Sequence, residues 1–436
     1  MNLFALNSPS ITGEVLCPGD KSISQRAVII GSLINQDMTI EGFLNGEDPI
    51  STINALNAIG SSIEINNTSV TIKQRETAFI SPKEDVDLGN SGTGMRLMMG
   101  LISSLGINVR LVGDKSLSKR PMLRVSEPLN SMGANILCRD GMPPVQITKG
   151  NIKNNFSYDM PIASAQVKSS IILAALAANE SVTVKEKYQT RNHTEKMIDY
   201  FGGSIKSEII DQENVIYLSP SKLDITKSYK VVGDFSSAAF LMVAGLIAKE
   251  SNIIIKNVGV NPTRSGLIDI LKSMGGEISI RNQEMICNEE GADIHVQSSA
   301  LKGINIKGSI IPNIIDEIPV LSIAAAFADG QTTISEASEL RVKESDRLSA
   351  ISYGLNSIGK SNELFEDGIK INGSKDDISG IPEIDSFGDH RIAMSFLVAS
   401  LRFSEGIHVR DCANIFTSFP GFIDVMQSLG VAINET

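Results

Sequence analysis

The sequence predicts an α/β chain made of six copies of one module, set out as two halves of three. Six times an apolar, helix-like run is followed at once by a short β-branched stretch, and each time a second helical pattern comes next. Those second helices all end in an apolar residue and a glycine: Ile59-Gly60, Met132-Gly133, Phe201-Gly202, Met274-Gly275, Ile358-Gly359 and Leu429-Gly430, a spacing of about 70 residues. Glycine in that place closes a helix through the left-handed conformation. Mere alternation of helix and strand would show no such fixed phase. The third observation is an echo: "PGDKSISQRAVIIGSLI" from Pro18 returns as "VGDFSSAAFLMVAGLIA" from Val232, which puts the join between halves near residues 225–235.

The first helix of each module begins near Ala27, Met95, Val167, Ala238, Ile318 and Ile392. The strands that follow are "MTIEGFL", "INVRLVGD", "VTVKEK", "NIIIKNVG", "TTISEAS" and "IHVRDCANI". Each first helix is expected to cover a mixed sheet of the flanking strands. At 436 residues the chain exceeds one ordinary core, in keeping with two domains.

Composition narrows the partners. The longest apolar run, "AAFLMVAGLIA" from Ala238, is eleven residues, well short of the ~20 that cross a bilayer. The start, "MNLFALNSPS", lacks the basic and apolar stretches of a secretory signal, so a cytoplasmic protein without a membrane partner is expected. A net charge of -11 argues against nucleic acid. Cys17, Cys138, Cys287 and Cys412 have neither zinc nor disulfide spacing and read as buried thiols, and no metal cluster is expected.

The openings of the first helices hold the chemistry: "DKSISQR", "GNSGTGMR", "SAQVKS", "IIDEIP" and "GDHRIAM", with only "GDFSSAAF" in the fourth module. Helix N-termini bind anions through unpaired N–H groups, and a lysine there is unfavourable unless something negative arrives. Ser22 with Gln25 reads as a capping box, which leaves Lys21 and Arg26 unexplained. Ser164 reads as a cap followed by a solvated Lys168. Asp316 and Glu317 suit a helix start in any protein. In "RVKESDRLSAISYGLNSIG", Lys343 and Arg347 stand four apart, a like-charge pair that calls for an anion between them or for balance by Glu344 and Asp346. Arg120 precedes Pro121 in a turn able to aim its guanidinium. Together Lys21, Arg26, Arg120, Arg191, Lys343, Arg347 and Arg391 exceed what one phosphate needs. With Asp316, Glu344 and Lys21 as acid–base candidates, they suit direct group transfer between two small anionic substrates.

As a set, "PGDKSISQR", "LGNSGTGMR", "KRPM", "ASAQVKS", "RNHTEKM", "IDEIP", "RVKESDR", "GDHRIAM" and "TSFP" resemble the 5-enolpyruvylshikimate-3-phosphate (EPSP) synthase family over nearly the whole chain. The resemblance implies a two-domain inside-out α/β barrel of six βαβαββ units, with domains of 1–20 plus 233–436 and of 21–232. It implies carboxyvinyl transfer from phosphoenolpyruvate to the 5-hydroxyl of shikimate 3-phosphate, without a cofactor, by a monomer. By carry-over, Lys21, Ser22, Arg26, Ser164, Gln166, Arg191, Asp316 and Lys343 hold shikimate 3-phosphate. Lys21, Gly92, Arg120, Gln166, Arg347 and Arg391 hold phosphoenolpyruvate. Asp316 takes the hydroxyl proton, while Glu344 and Lys21 serve the transfers at C3 and at the leaving phosphate. Some members carry a lysine where Thr417 or Ser418 stands here, and the resemblance implies that Gly92 is the small residue that in the family leaves room for the inhibitor glyphosate.

Two other readings stay open at this stage. UDP-N-acetylglucosamine enolpyruvyl transferase shares the six-unit fold but usually carries a reactive cysteine, absent from "GDKSLSKRPM". A non-catalytic clamp on nucleic acid would want a distributed basic lining instead of cations mixed with carboxylates. On the favoured reading neither half owns a complete set, so the halves are expected to close when both anionic ligands bind. Solution scattering that stays the same with and without both ligands would overturn that expectation.

Overall fold

The computed structural model describes residues 1–8, 10–224 and 228–436. The chain folds as two compact units, one of Met1–Pro18, Gly233–Glu284 and Glu290–Thr436, the other of Gly19–Val232 and Met285–Glu289. Of the expected join at 225–235, residues 225–227 lie outside the described residues. One unit gives way to the other between Val232 and Gly233.

The second module shows the plan without interruption. Strand Val86–Asp87 leads into helix Gly92–Ile102, strand Val109–Val112 into helix Leu123–Ser131, and a hairpin of Asn135–Arg139 and Met142–Thr148 ends it. In the sheet the strands lie in the order first, second, fourth, third, the first pair parallel and the others antiparallel. The described residues form six such four-stranded sheets. The expected mixed sheets are present, and the fold is the βαβαββ repeat.

Three modules borrow a strand. Tyr229–Lys230 runs parallel to Met38–Glu41 and completes the first module from the far end of its unit. Ser10–Leu16 runs parallel to Glu250–Gly259 as the opening strand of the fourth. Leu3–Ala5 lies between Ile407–Arg410 and Ile433–Glu435 in the sixth.

The first helices form the interior of each unit. In one unit they are Lys21–Ile34, Gly92–Ile102 and Ala165–Ala178; in the other, Phe235–Ile247, Ile318–Ala326 and His390–Ala399. Every residue of the latter three is buried, as apolar composition on all sides demands. Each unit has one contiguous apolar core around its inner helices. The second helices end where the sequence placed their ends, with the six glycines at φ between +73° and +107°, a region in which an L side chain is strained.

The thiol expectation holds in part. Cys17 and Cys412 are buried, while Cys138 and Cys287 are half-buried, and all four are free. No single helix among the described residues is long and apolar enough to cross a membrane.

Helices Gly92–Ile102 and Ala165–Ala178 touch backbone to backbone at Gly100, where an added Cβ would sit 2.2 Å from Ser170 O. Gly100→Ala is expected to destabilise the protein by about 1–3 kcal/mol, read as a lower denaturant midpoint at unchanged slope. Gly421→Ala, with open space around it, is expected to stay within about 0.5 kcal/mol of the parent.

Candidate active site

Inner helix Lys21–Ile34 starts from Asp20, whose carboxylate accepts from Ile23 N at 2.8 Å. The capping box assigned to Ser22 and Gln25 is therefore corrected. Asp20 has the extended backbone of a cap (φ -65°, ψ 125°), and Ser22 is already inside the first turn. Gln25 turns inward instead, its amide donating to Asp48 O at 3.2 Å, Thr52 Oγ1 at 2.9 Å and Ser91 Oγ at 2.7 Å. Lys21 is held by Asp48 Oδ2 at 3.0 Å, a carboxylate in the first turn of helix Glu47–Ala58.

Arg26 is buried, yet each arm of its guanidinium has an acceptor. Nε donates to Thr194 Oγ1 at 2.7 Å, one terminal nitrogen to Ser22 O at 3.0 Å and the other to Ser169 Oγ at 3.0 Å. Burial pulls its pKa down to about 10 and Arg191 adds to the fall, while Glu195 and Asp20 oppose it. The side chain stays a cation at neutral pH.

In the second module Ser91 caps helix Gly92–Ile102, accepting from Gly94 N at 3.0 Å. The turn before Pro121 is present and aims Arg120 at that helix start. Its guanidinium donates to Asn90 O at 3.1 Å, Asn90 Oδ1 at 2.6 Å and Ser116 Oγ at 3.1 Å. A Cβ on Gly92 would lie 3.0 Å from Arg120 Nη1. Arg96, which the sequence reading passed over, is a second buried guanidinium here, bonded to Gln166 Oε1 and, at 3.2 Å, to Pro121 O. Its spacing, four residues after Gly92 on the same helical face, is the signal that would have found it.

Ser164 caps helix Ala165–Ala178 as expected, accepting from Val167 N. Gln166 bridges Arg96 and Thr93 Oγ1, the latter at 2.8 Å. Lys168, expected on a solvated face, is wholly buried against Glu186 and Glu195 at 2.9 and 2.8 Å. Arg191 stands two residues before helix His193–Tyr200 and close enough to Arg26 to repel its charge. Thus Lys21, Ser22, Arg26, Gly92, Arg120, Ser164, Gln166 and Arg191 gather at helix N-terminal ends within one unit.

The other unit centres on Arg347, 1% exposed at its side chain. It donates from Nε to Asp389 Oδ2 at 2.8 Å and contacts Asp316 Oδ1 at 3.3 Å and Glu344 Oε2 at 2.5 Å. Burial opposes its charge, but Asp389, Glu344 and Asp316 outweigh burial and hold the guanidinium firmly protonated. Helix Arg347–Ser357 begins at Asp346, so Lys343 lies before it and is not a helical neighbour of Arg347. Even so, a carboxylate oxygen does stand between them: Asp316 Oδ1 is 3.7 Å from Lys343 Nζ. The anion is the protein's own.

Arg391 donates to Asp316 O at 2.8 Å and Ser236 Oγ at 3.0 Å. Buried Glu317 accepts from Ser236 Oγ at 2.6 Å and from Arg264 Nη1 through both oxygens, at 3.0 and 2.9 Å. The fourth module, read as bare, therefore contributes Ser236 and Arg264 to the support of Arg391. Nothing in "NPTRSG" marks Arg264 in sequence. Thr417 and Ser418 are buried, and Thr417 Oγ1 donates to Asn414 O at 2.7 Å.

Two sets of polar helix entrances on a six-module fold invite comparison with known proteins. Residues 7–426 match the family model described as EPSP synthase (3-phosphoshikimate 1-carboxyvinyltransferase). The chain belongs to the EPSP synthase family. It is 44% identical to the 3-phosphoshikimate 1-carboxyvinyltransferase of Ruthia magnifica subsp. Calyptogena magnifica over 98% of this chain and 97% of that one. It is also 44% identical to that of Legionella pneumophila (strain Corby) over 100% and 99%. Among solved structures, the EPSP synthase of Acinetobacter baumannii superposes with a TM-score of 0.85 at 40% identity, covering 100% of both chains. The enolpyruvyl transferase NikO from Streptomyces tendae shares the fold, with a TM-score of 0.76 at 16% identity over 99% of this chain and 98% of that one. As an EPSP synthase family member, the chain keeps its charged helix entrances on named scaffold contacts.

Asp389 both caps helix His390–Ala399 and pairs with Arg347, at 0% side-chain exposure. Asp389→Ala is expected to cost about 3–5 kcal/mol, the range for breaking a buried ion pair. Glu383→Ala, which removes an exposed partner of Arg410, is expected to cost under about 1 kcal/mol. Denaturant titration of the two variants checks the contrast.

Proposed function

We propose that the residues at the inner-helix entrances carry out the family's reaction, transfer of the carboxyvinyl group of phosphoenolpyruvate to the 5-hydroxyl of shikimate 3-phosphate with release of phosphate. In this reading the hydroxyl attacks C2 of phosphoenolpyruvate while C3 gains a proton. Phosphate then leaves as C3 gives the proton up, and the double bond returns.

Lys21, Ser22, Arg26, Ser164, Gln166 and Arg191 hold shikimate 3-phosphate, joined by Asp316 and Lys343. Lys21, Gly92, Arg120, Gln166, Arg347 and Arg391 hold phosphoenolpyruvate. One observation carries the acid–base assignment. Asp316 is 15% exposed at its side chain, and Arg347 and Lys343 share its Oδ1 at 3.3 and 3.7 Å. Two cations on one oxygen fix where the carboxylate stands, and a general base must be held within reach of the proton it takes. Glu344, on Arg347 and 22% exposed, together with Lys21 serves the proton transfers at C3 and at the leaving phosphate in this reading. A monomer in the cytoplasm belongs to the same reading.

Phosphate release from phosphoenolpyruvate, followed with shikimate 3-phosphate as acceptor, tests it. Turnover is expected with this acceptor and none with UDP-N-acetylglucosamine; the reverse would sink the reading. Asp316→Ala is expected to lower kcat by about 10²-fold or more, and an unchanged kcat would remove Asp316 from the chemistry. Because a Cβ at Gly92 meets Arg120 at 3.0 Å, Gly92→Ala is expected to raise KM for phosphoenolpyruvate and to weaken glyphosate inhibition. Inhibition identical to the parent's would place Gly92 outside that subsite.

A further inference from the structure

The lysine of "SAQVKS" has no task in the reaction as assigned. Lys168 sits in the first turn of helix Ala165–Ala178 and is 0% exposed, so it reaches no substrate. Its ammonium has three acceptors: Glu195 Oε1 at 2.8 Å, Glu186 Oε1 at 2.9 Å and Thr190 O at 3.2 Å. Three is the full capacity of an ammonium.

Those acceptors are not scattered. Glu186 ends strand Val182–Glu186, Glu195 lies in the first turn of helix His193–Tyr200, and the connection between these elements carries Arg191. Glu186 grips the same connection a second time, accepting from Thr190 N at 3.1 Å and Thr190 Oγ1 at 2.6 Å, and it also accepts from Asn214 Nδ2 at 2.7 Å. Both ends of the connection, and the residue next to Arg191, are thus tied to one buried nitrogen.

The network also reaches Arg26. Ser169, the neighbour of Lys168, accepts from Arg26 at 3.0 Å and from Thr194 Oγ1 at 2.7 Å, and Thr194 in turn accepts from Arg26 Nε. Burial works against the charge on Lys168, but Glu195 and Glu186 outweigh it and raise its pKa. For stability alone such a triad is a poor choice, since apolar residues of similar volume often serve a core as well or better. Its geometry is what an apolar core cannot supply.

We infer that Lys168, with Glu186 and Glu195, is a positioning residue that fixes where Arg191 and Arg26 stand, and so sets affinity for shikimate 3-phosphate without acting on the chemical step. The inference rests on the assignment of Arg26 and Arg191 to that substrate.

Steady-state kinetics of Arg191→Ala, Lys168→Met and Glu195→Gln, each checked for native-like thermal unfolding, separate the two levels. Arg191→Ala tests the substrate assignment: if KM for shikimate 3-phosphate does not rise, that assignment fails and takes the inference with it. Given a rise there, Lys168→Met and Glu195→Gln are each expected to raise the same KM by about tenfold or more, roughly the worth of one charge-assisted hydrogen bond. Both are expected to leave kcat and KM for phosphoenolpyruvate within about threefold. If Lys168→Met does not fold, Glu195→Gln, isosteric and still leaving Lys168 with Glu186, decides alone. Folded variants with an unchanged KM for shikimate 3-phosphate overturn the positioning role, as does an equal rise in both KM values or a fall in kcat alone.

Discussion

A helix with no wet face can do polar work only at its ends. That constraint governs this protein, because the three inner helices of one unit are buried along their whole length and those of the other nearly so. Their apolar flanks build the cores, and the sheets must then lie outside them. The N-terminal ends are left with unpaired N–H groups and partial positive charge, the natural place for anionic ligands. Repeating the module three times in a unit multiplies those ends.

Positive charge gathered at such ends has to be kept in place, and the two units do so differently. Around Arg347 the solution is direct, with three carboxylates on one guanidinium. Arg391 is held by Asp316 O, by Ser236 and, at 3.4 Å, by Glu317, which Arg264 also grips. Arg26 relies on neutral hydroxyls and a carbonyl, and burial lowers its proton affinity as a result. Cations held by neutral groups keep more of their field for a ligand than cations already matched by carboxylates. Arg26 accordingly keeps more of its field than Arg347 does.

Much of the fold is local in origin and could be read in advance. The six terminal glycines answer to a backbone requirement that any helix end of this kind imposes, and the buried helices answer to apolar composition. The candidate site was legible as far as charged residues at helix openings mark it, as Lys21, Arg26, Asp316 and Arg391 do. Reading failed where the partner is tertiary. Asp20 and Ser22 are both acceptable caps by sequence, and only the turn of the backbone chooses between them. Lys168 reads as a surface charge until Glu186 and Glu195 arrive from eighteen and twenty-seven residues away. Arg264 and Glu317 are 53 residues apart and have no pattern that joins them before folding.

The borrowed strands bear on how such a chain comes into being. Leu3–Ala5 finds its neighbours only in Ile407–Arg410 and Ile433–Glu435, and Ser10–Leu16 waits for Glu250–Gly259. The unit of Gly19–Val232 has nearly all its strands within itself. During vectorial synthesis, then, the middle of the chain can complete its sheets first, while Ser10–Leu16 stays unpaired until the fourth module has emerged and Leu3–Ala5 until the sixth. For Leu3–Ala5 the order of synthesis and the order of pairing part company, because both of its sheet neighbours are made long after it.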